Sequence, residues 1–243
     1  MRALNQVDCL ALWESGQELH PIDQGLLAVQ AAFPETRGES VADWPLGRRN
    51  RALAQLYFAT FGTKLSGWTS CRQCGEKLEF AADGRAMAQT ALGERDTIVP
   101  VSGRSFRLPT SRDLARIAVQ AEAGDAAALL LNLCLVAQEA PEGSVNEESS
   151  TAWSEEELEL IGSRLAQADP LAEIMLDFQC PVCQESFEES LDLASFFWSE
   201  LEGRARRLLF DVHILASAYG WSEAEILALS QTRRNFYLKQ VQA

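Results

Sequence analysis

The sequence predicts an α+β protein that is mainly helical, with a small antiparallel β module built from two distant Cys-x-x-Cys segments. Two observations support this fold class. Apolar residues recur at helical spacing over most of the 243 residues and alternate with polar residues only in short segments. The two motifs, Cys71 with Cys74 and Cys180 with Cys183, each have an apolar residue four positions after the second cysteine.

Two helices are predicted at the start of the chain. The first spans residues 3–15, with Leu4, Val7 and Ala11 at helical spacing on its apolar face. The second begins at Pro21, because the first turn of a helix does not need the backbone N–H that proline lacks.

A third helix is predicted before Gly62. Leu53, Leu56, Tyr57 and Phe61 form one apolar stripe along it. Glycine readily adopts the backbone conformations that end many helices, so we expect Gly62 to be its C-cap.

Extended segments follow. Apolar and polar residues alternate at 77–80, 97–101 and 105–109, and again at 174–178 just before the second cysteine pair. The Ser-Gly dipeptide at 102–103 is typical of a hairpin turn, so the second and third of these segments are predicted to pair as antiparallel strands.

The segment between the strands predicts further helices and one loop. A helix begins near Thr110 or Ser111, and an apolar helix spans 125–137. Residues 139–152 are acidic and small and have no apolar period, which predicts a solvated loop, with a binding tail as the alternative. Ser154 and Glu157 then have the spacing of a capping box and predict another helix start.

The end of the chain is predicted to be helical. A long helix runs over 192–219 and ends at Gly220. Ser222 with Glu225 forms a second capping box ahead of a short helix, and Ser230 can cap a last helix.

The paired cysteines predict a structural zinc site. Four thiolates, from Cys71, Cys74, Cys180 and Cys183, match the tetrahedral coordination that zinc prefers and leave no open position for catalysis. The long insert is no obstacle, since a fivefold longer loop costs only about 1.4 kcal/mol, whereas zinc binding in small finger peptides contributes roughly 10–16 kcal/mol. A redox dithiol, separate disulfides and two unrelated pairs are the alternatives.

These elements divide the chain into regions. Residues 1–66 form an N-terminal helical region, 67–109 and 170–191 together form a split zinc-ribbon-like β module, 110–169 form a helical insertion, and 192–243 form a C-terminal helical region.

No catalytic constellation is visible in the sequence. Of the two histidines, His20 precedes a proline, and His213 lies in an apolar helix where we expect it to pack in the core. Phosphate-binding, dinucleotide-binding and nucleophile-elbow motifs are absent from the sequence. Cys9 and Cys134 have helical, apolar surroundings and are expected to be small buried residues. We therefore expect a protein that is not an enzyme and has no small-molecule substrate.

Charge and hydropathy limit the partners. A net charge of −14 repels phosphate backbones, so nucleic acid is an unfavourable partner. The first residues lack the pattern of a signal peptide, and no apolar run reaches the length of a membrane span. We expect a cytoplasmic protein that does not bind membranes.

The C-terminal helices carry the candidate partner contacts. Trp221, Arg233, Arg234 and Tyr237 are of the residue types that dominate protein interfaces, and they lie close together in the sequence. The arrangement of a helix, a short helix and a last helix that carries paired arginines is also compatible with a DNA-binding helix-turn-helix. The alternative function is therefore a zinc-ribbon adaptor that binds nucleic acid through these arginines.

The segment VHILASAYGWSEAEILALSQTRRNFYL resembles the C-terminal signature of T4-type baseplate proteins of contractile phage tails and bacterial contractile injection systems. The likeness is specific over about the last 60 residues and looser at LGRRNRALAQLYFATFG, at FRLPTSRDLARIA and at the cysteine motifs. It implies a structural or assembly role, with baseplate hub and spike proteins or other tail components as partners. The chain could then also be incorporated in a phage-tail-like particle.

Overall fold

A computed structural model gives the fold. The structure describes residues 1–34, 40–85, 87, 97–120, 125–136 and 152–241. The chain is a mixture of helices and small antiparallel sheets, as predicted. Nearly all of the predicted acidic loop at 139–152 falls outside the described residues.

Within the described residues we number nine α-helices and seven strands. The helices are α1 Gln6–Gly16, α2 Pro21–Ala32, α3 Leu46–Phe61, α4 Ser111–Gln120, α5 Ala126–Cys134, α6 Glu155–Ala168, α7 Leu193–Tyr219, α8 Glu223–Ala228 and α9 Gln231–Val241. The strands are β1 Lys64–Ser70, β2 Lys77–Asp83, β3 Ile98–Val101, β4 Arg104–Arg107, β5 Leu135–Val136, β6 Met175–Gln179 and β7 Ser186–Ser190.

The largest core lies where α1, α2 and α3 pack against the first half of α7. Leu53 and Leu56 of α3 and Phe197 and Leu201 of α7 are fully buried in it. The apolar stripe predicted for α3 is therefore the face that meets the core, and Gly62 caps this helix as expected. Burying several large side chains completely is the main stabilising contribution to such a helical layer.

The buried face of α1 differs from the prediction. Val7 exposes 57% of its surface and Ala11 is exposed, whereas Cys9, Leu10 and Leu12 are buried. The helix lies between α2 and α7. Because it contacts a helix on each of two sides, its buried face is broader than the predicted one and is rotated around the helix axis.

A second core contains the three-stranded sheet β3-β4-β5 with α5 and α6. Phe106 of β4, Leu131 and Cys134 of α5, and Ile161 of α6 are buried together. The hairpin at 98–107 was assigned to the cysteine module from sequence, but it pairs with β5 and belongs to this core instead. Its turn is as predicted, since the residues at 102–103 both have positive φ.

Two separate hairpins make up the other sheets. β1 pairs with β2, and β6 pairs with β7, in antiparallel register. β1 follows α3 after a two-residue connection, and α7 follows β7 after another two residues, so both hairpins are attached to helices of the largest core. This attachment brings two segments about a hundred residues apart to one side of the molecule.

The C-terminal helices pack on α7. Gly220 ends α7 in the left-handed conformation, and Ser222 and Glu225 form the predicted capping box of α8. In the described part of the chain, no helix has both the length and the apolar character needed to cross a bilayer.

Candidate metal centre

The first cysteine motif forms a tight turn at the end of the β1–β2 hairpin. The backbone N–H of Cys71 donates to the carbonyl of Glu76 at 2.8 Å, and that of Gly75 donates back to Cys71 at 2.9 Å. Gly75 has a φ of 76°, a conformation that glycine adopts without strain. The turn points the sulfurs of Cys71 and Cys74 to the same side.

The second motif repeats this geometry at the end of the β6–β7 hairpin. Cys180 donates to the carbonyl of Glu185 at 2.8 Å, and Gln184 donates back to Cys180 at 3.0 Å. Gln184 occupies the position equivalent to Gly75 and has a φ of 61°. A non-glycine residue in this conformation costs local strain, which was not predicted from the sequence.

The two turns face one another, and their four sulfurs form one cluster. Sγ of Cys71 lies 3.5 Å from that of Cys183, and Sγ of Cys74 lies 3.5 Å from that of Cys180. All four sulfurs lie within 4.8 Å of one another, and none is in a disulfide. The predicted shared site is therefore present as a cluster of four free cysteines.

Burial differs among the four cysteines. Cys71 and Cys180 are buried, Cys183 is half-buried and Cys74 is exposed. Leu78 packs against this cluster from the first hairpin. The cluster is thus closed on the side of the hairpins and open to solvent at Cys74.

Two further contacts join the hairpins, and neither was predicted from sequence. Phe80 of β2 meets Phe178 of β6 edge-on, with ring centroids 5.8 Å apart. Arg72, within the first turn, forms an exposed ion pair with Glu189 of β7 at 2.8 Å. An exposed pair of this kind contributes little, about 0–1 kcal/mol. The hairpins therefore meet mainly through the sulfur cluster and the apolar side chains around it.

The thiols do not titrate alike. The backbone N–H groups of Cys183 and Val182 stabilise the thiolate of Cys180 and lower its pKa to about 7. The backbone N–H of Glu185 acts in the same direction on Cys183, but burial and the three neighbouring sulfurs outweigh it and raise the pKa of Cys183 to about 12. Four sulfurs this close cannot all be thiolates unless a cation offsets their mutual repulsion.

This donor set fits a metal ion. Four sulfurs at about 2.3 Å from a tetrahedral ion lie about 3.8 Å from one another, which is within the range of the observed separations. Soft thiolates select zinc, copper(I) or iron. The cluster is thus compatible with a metal site, and four protein ligands would complete a tetrahedral shell.

Cys9 and Cys134 lie apart from the cluster and are fully buried, as expected. Burial raises the pKa of Cys9 and raises that of Cys134 to about 12, so both thiols stay protonated and inert. The histidines are on the surface. His20 caps α2 by accepting from the N–H of Ile22 at 3.3 Å, and His213, which we expected in the core, is exposed on α7.

The four predicted partner contacts are placed differently from one another. Trp221 and Tyr237 are half-buried and pack edge-on at 4.9 Å, and Arg233 is exposed. Arg234 is only 3% exposed, and its guanidinium donates to Asp211 at 2.9 Å and to Gln6. Arg234 is therefore held inside the chain, and its assignment as a partner contact is corrected: it joins α9 to α7 and α1.

Comparison of the chain with protein-family models, with curated proteins and with solved structures finds no match. The likeness of the C-terminal segment to baseplate proteins stays a prediction. The cysteine cluster is thus the strongest guide to function.

Proposed function

We propose that this protein is a non-enzymatic structural or assembly protein whose two hairpins are clamped by one structural Zn²⁺. Cys71, Cys74, Cys180 and Cys183 would hold the ion in a zinc-ribbon-like arrangement. One observation carries the proposal: two turns of the same geometry, one from each end of a long insert, direct four free sulfurs into one cluster.

The ion would supply a cross-link and no reaction. With four thiolates bound, zinc has no open position for water or substrate. A two-stranded hairpin is marginally stable by itself, and both hairpins end at this cluster. Tying them together orients α3 and α7, from which they extend.

The metal test is direct. Elemental analysis of protein purified without added metal should find one zinc per chain, and the absence of visible absorption should exclude iron. Cys74→Ser should lose the metal, whereas Cys9→Ala should retain it, since Cys9 lies outside the cluster. Protein that carries no metal, or a Cys9→Ala variant that loses it equally, would refute the site.

The baseplate role rests on the C-terminal likeness and on the surface of the C-terminal helices. Arg233 supplies an exposed cation, and Trp221 and Tyr237 supply half-buried aromatic rings, the types that recur at interface hot spots. A rigid support with docking helices suits a component that occupies a baseplate hub or assembles its subunits. The partners would be hub or spike proteins or other tail components.

Co-purification tests this role. In a host that makes contractile particles, the tagged chain should co-purify with hub and spike proteins, and its deletion should leave tails without complete baseplates. If finished particles and assembly intermediates both lack the chain, the baseplate role fails while the zinc site can still stand.

The nucleic-acid alternative has less support. Arg234, one of its two arginines, is buried and paired with Asp211, and the net charge of −14 opposes phosphate backbones.

A further inference from the structure

The outward face of α9 carries two cations on either side of an aromatic ring. Arg233, Phe236 and Lys239 are three residues apart, which places them along one side of the helix over about two turns. Phe236 exposes 60% of its surface, and Arg233 and Lys239 are both exposed. We call these three residues the α9 stripe.

The opposite face of α9 is anchored. Arg234 is buried and donates to Asp211 of α7. Tyr237 packs edge-on against Trp221 at 4.9 Å and meets Tyr219 at 5.9 Å. Because the rear of the helix is held by these contacts, the orientation of the α9 stripe is set before any partner arrives, which lowers the entropic cost of binding.

The α9 stripe is a positive region on a strongly negative chain. No Asp or Glu occurs between positions 229 and 241, although the chain has a net charge of −14. Asp211 neutralises Arg234. Neither Arg233 nor Lys239 forms an ion pair with a residue that the structure describes. Both cations are therefore available to carboxylates from outside.

We propose that the α9 stripe docks an acidic helix of a partner protein. The helix carries an apolar residue with a carboxylate three positions before it and another three positions after it. The two cations are six residues apart, which is about 9 Å along the axis, and two carboxylates with the same separation can meet both while the apolar residue covers Phe236. This inference rests on the proposed assembly role and specifies the chemistry of its partner.

A protein helix fits this surface better than a nucleic acid does. Nucleic acid binding depends on many simultaneous phosphate contacts, and the α9 stripe offers two cations. A ring exposed between charges instead resembles an interface hot spot, where a buried apolar centre is surrounded by polar contacts.

The probe for this inference is a labelled helical peptide of about 20 residues that contains Glu-x-x-Leu-x-x-Glu. Fluorescence anisotropy should detect binding to the intact protein that weakens as salt rises. Phe236→Ala and the double variant Arg233→Glu with Lys239→Glu should each weaken binding at least tenfold. The double variant should also gain affinity for the peptide in which Lys replaces both Glu residues, because the charges are then complementary again.

The control is a double variant of matched charge, Arg116→Glu with Arg164→Glu. Both arginines are exposed on other helices, so this variant should bind the acidic peptide as the wild type does. Equal loss in the control, no binding by the wild type, or a DNA duplex that displaces the peptide at lower concentration would each overturn the inference. So would self-association lost on Arg233→Glu, since the occupant would then be a second copy.

The outcomes separate this inference from the proposed function. If the protein binds zinc and co-purifies with baseplate proteins but does not bind the peptide, only this inference is wrong. If the protein binds the peptide through the α9 stripe but contains no zinc and is not part of a baseplate, the proposed function is wrong.

Discussion

Asp169, at the C-terminal end of α6, caps the start of α3. Its Oδ2 accepts a hydrogen bond from the backbone N–H of Gly47 at 2.8 Å, although 122 residues separate the two. The residue before the helix is Pro45, which has no side chain able to cap it. Asp169 is 1% exposed, so a carboxylate from the end of the second core serves as the N-cap of a helix in the first.

Gly47 is needed because this carboxylate occupies the place of a side chain. A Cβ added at Gly47 would lie 1.8 Å from Oδ1 and 2.6 Å from Cγ of Asp169. We expect Gly47→Ala to lower the free energy of unfolding by about 1–3 kcal/mol, the usual cost of overpacking. Urea denaturation measures the change.

Gly162 of α6 provides the matched control for this prediction. A Cβ there meets nothing within 4 Å, so Gly162→Ala should raise the free energy of unfolding by roughly 0.5–1 kcal/mol. A double-mutant cycle then identifies the cause. In the Asp169→Ala background, which has already lost the cap, Gly47→Ala should cost less than in the wild type. Additive effects would contradict the proposed clash.

The ion pair between Arg107 and Asp113 should make the free energy of unfolding depend on pH in the acidic range. The guanidinium donates to both carboxylate oxygens at 2.7 Å, and Thr110 adds two more hydrogen bonds. Burial alone would raise the pKa of Asp113, but these bonds outweigh it and hold the pKa below its ordinary value. The ionised carboxylate therefore stabilises the fold fully at pH values above the pKa that Asp113 has in the unfolded chain, about 3.9. This stabilisation is lost as the pH falls through the pKa that Asp113 has in the folded chain.

We expect Asp113→Asn to lower the free energy of unfolding near neutral pH by about 2 kcal/mol or more, because it breaks charge-assisted hydrogen bonds to a buried group. The variant should also lose less stability than the wild type on acidification below about pH 4. Arg112→Gln is the control, since it breaks only exposed contacts, the ion pair with Asp43 and a hydrogen bond to Ser40, and should cost less than about 1 kcal/mol. If acidification lowers the free energy of unfolding of Asp113→Asn and of the wild type equally, this account is wrong.

Substitutions at Gln184 and Gly75, which occupy equivalent positions in the two cysteine turns, should change the stability of the protein in different ways. Gln184 has a φ of 61° and Gly75 has a φ of 76°. A side chain in this region costs about 1–2 kcal/mol. Gln184→Gly should therefore stabilise the protein or leave its stability unchanged. The substitution relieves backbone strain in the folded state, and this gain offsets the larger conformational entropy of glycine in the unfolded chain. Gly75→Ala should destabilise it, although a Cβ there meets nothing within 4 Å. Thermal unfolding with the proposed zinc bound measures both changes in stability.

Metal removal should loosen the hairpins selectively. A strong chelator should lower amide-exchange protection in 64–83 and 175–190, because hairpins of two strands need external support. The second core, built around Phe106 and Leu131, should keep its protection because none of the four clustered cysteines belongs to it. Hydrogen exchange with mass spectrometry separates these regions, and a uniform loss across the chain would show that the metal supports the whole fold.

Local signals in the sequence predicted most of the elements. The capping boxes at Ser154 and Ser222, the glycine stops at Gly62 and Gly220, and the hairpin turn at 102–103 all occur as expected. Each depends on neighbours within a few residues, and side-chain type alone encodes such preferences. The cysteine cluster was also predictable, because paired thiols are scarce and have few uses.

Contacts between distant segments were decided by the tertiary structure. The strand at Leu135–Val136 joins the 98–107 hairpin to the second core, and nothing in its own sequence indicates that pairing. Arg234 has the sequence context of a surface residue, yet it is buried because Asp211 and Gln6 approach it from two other helices. The sequence by itself determined most of the elements and which four sulfurs can share an ion, but it did not indicate the strands β1, β5 and β7. Only packing decided which polar groups are satisfied within the chain and which remain exposed, because burial is a property of the assembled layers.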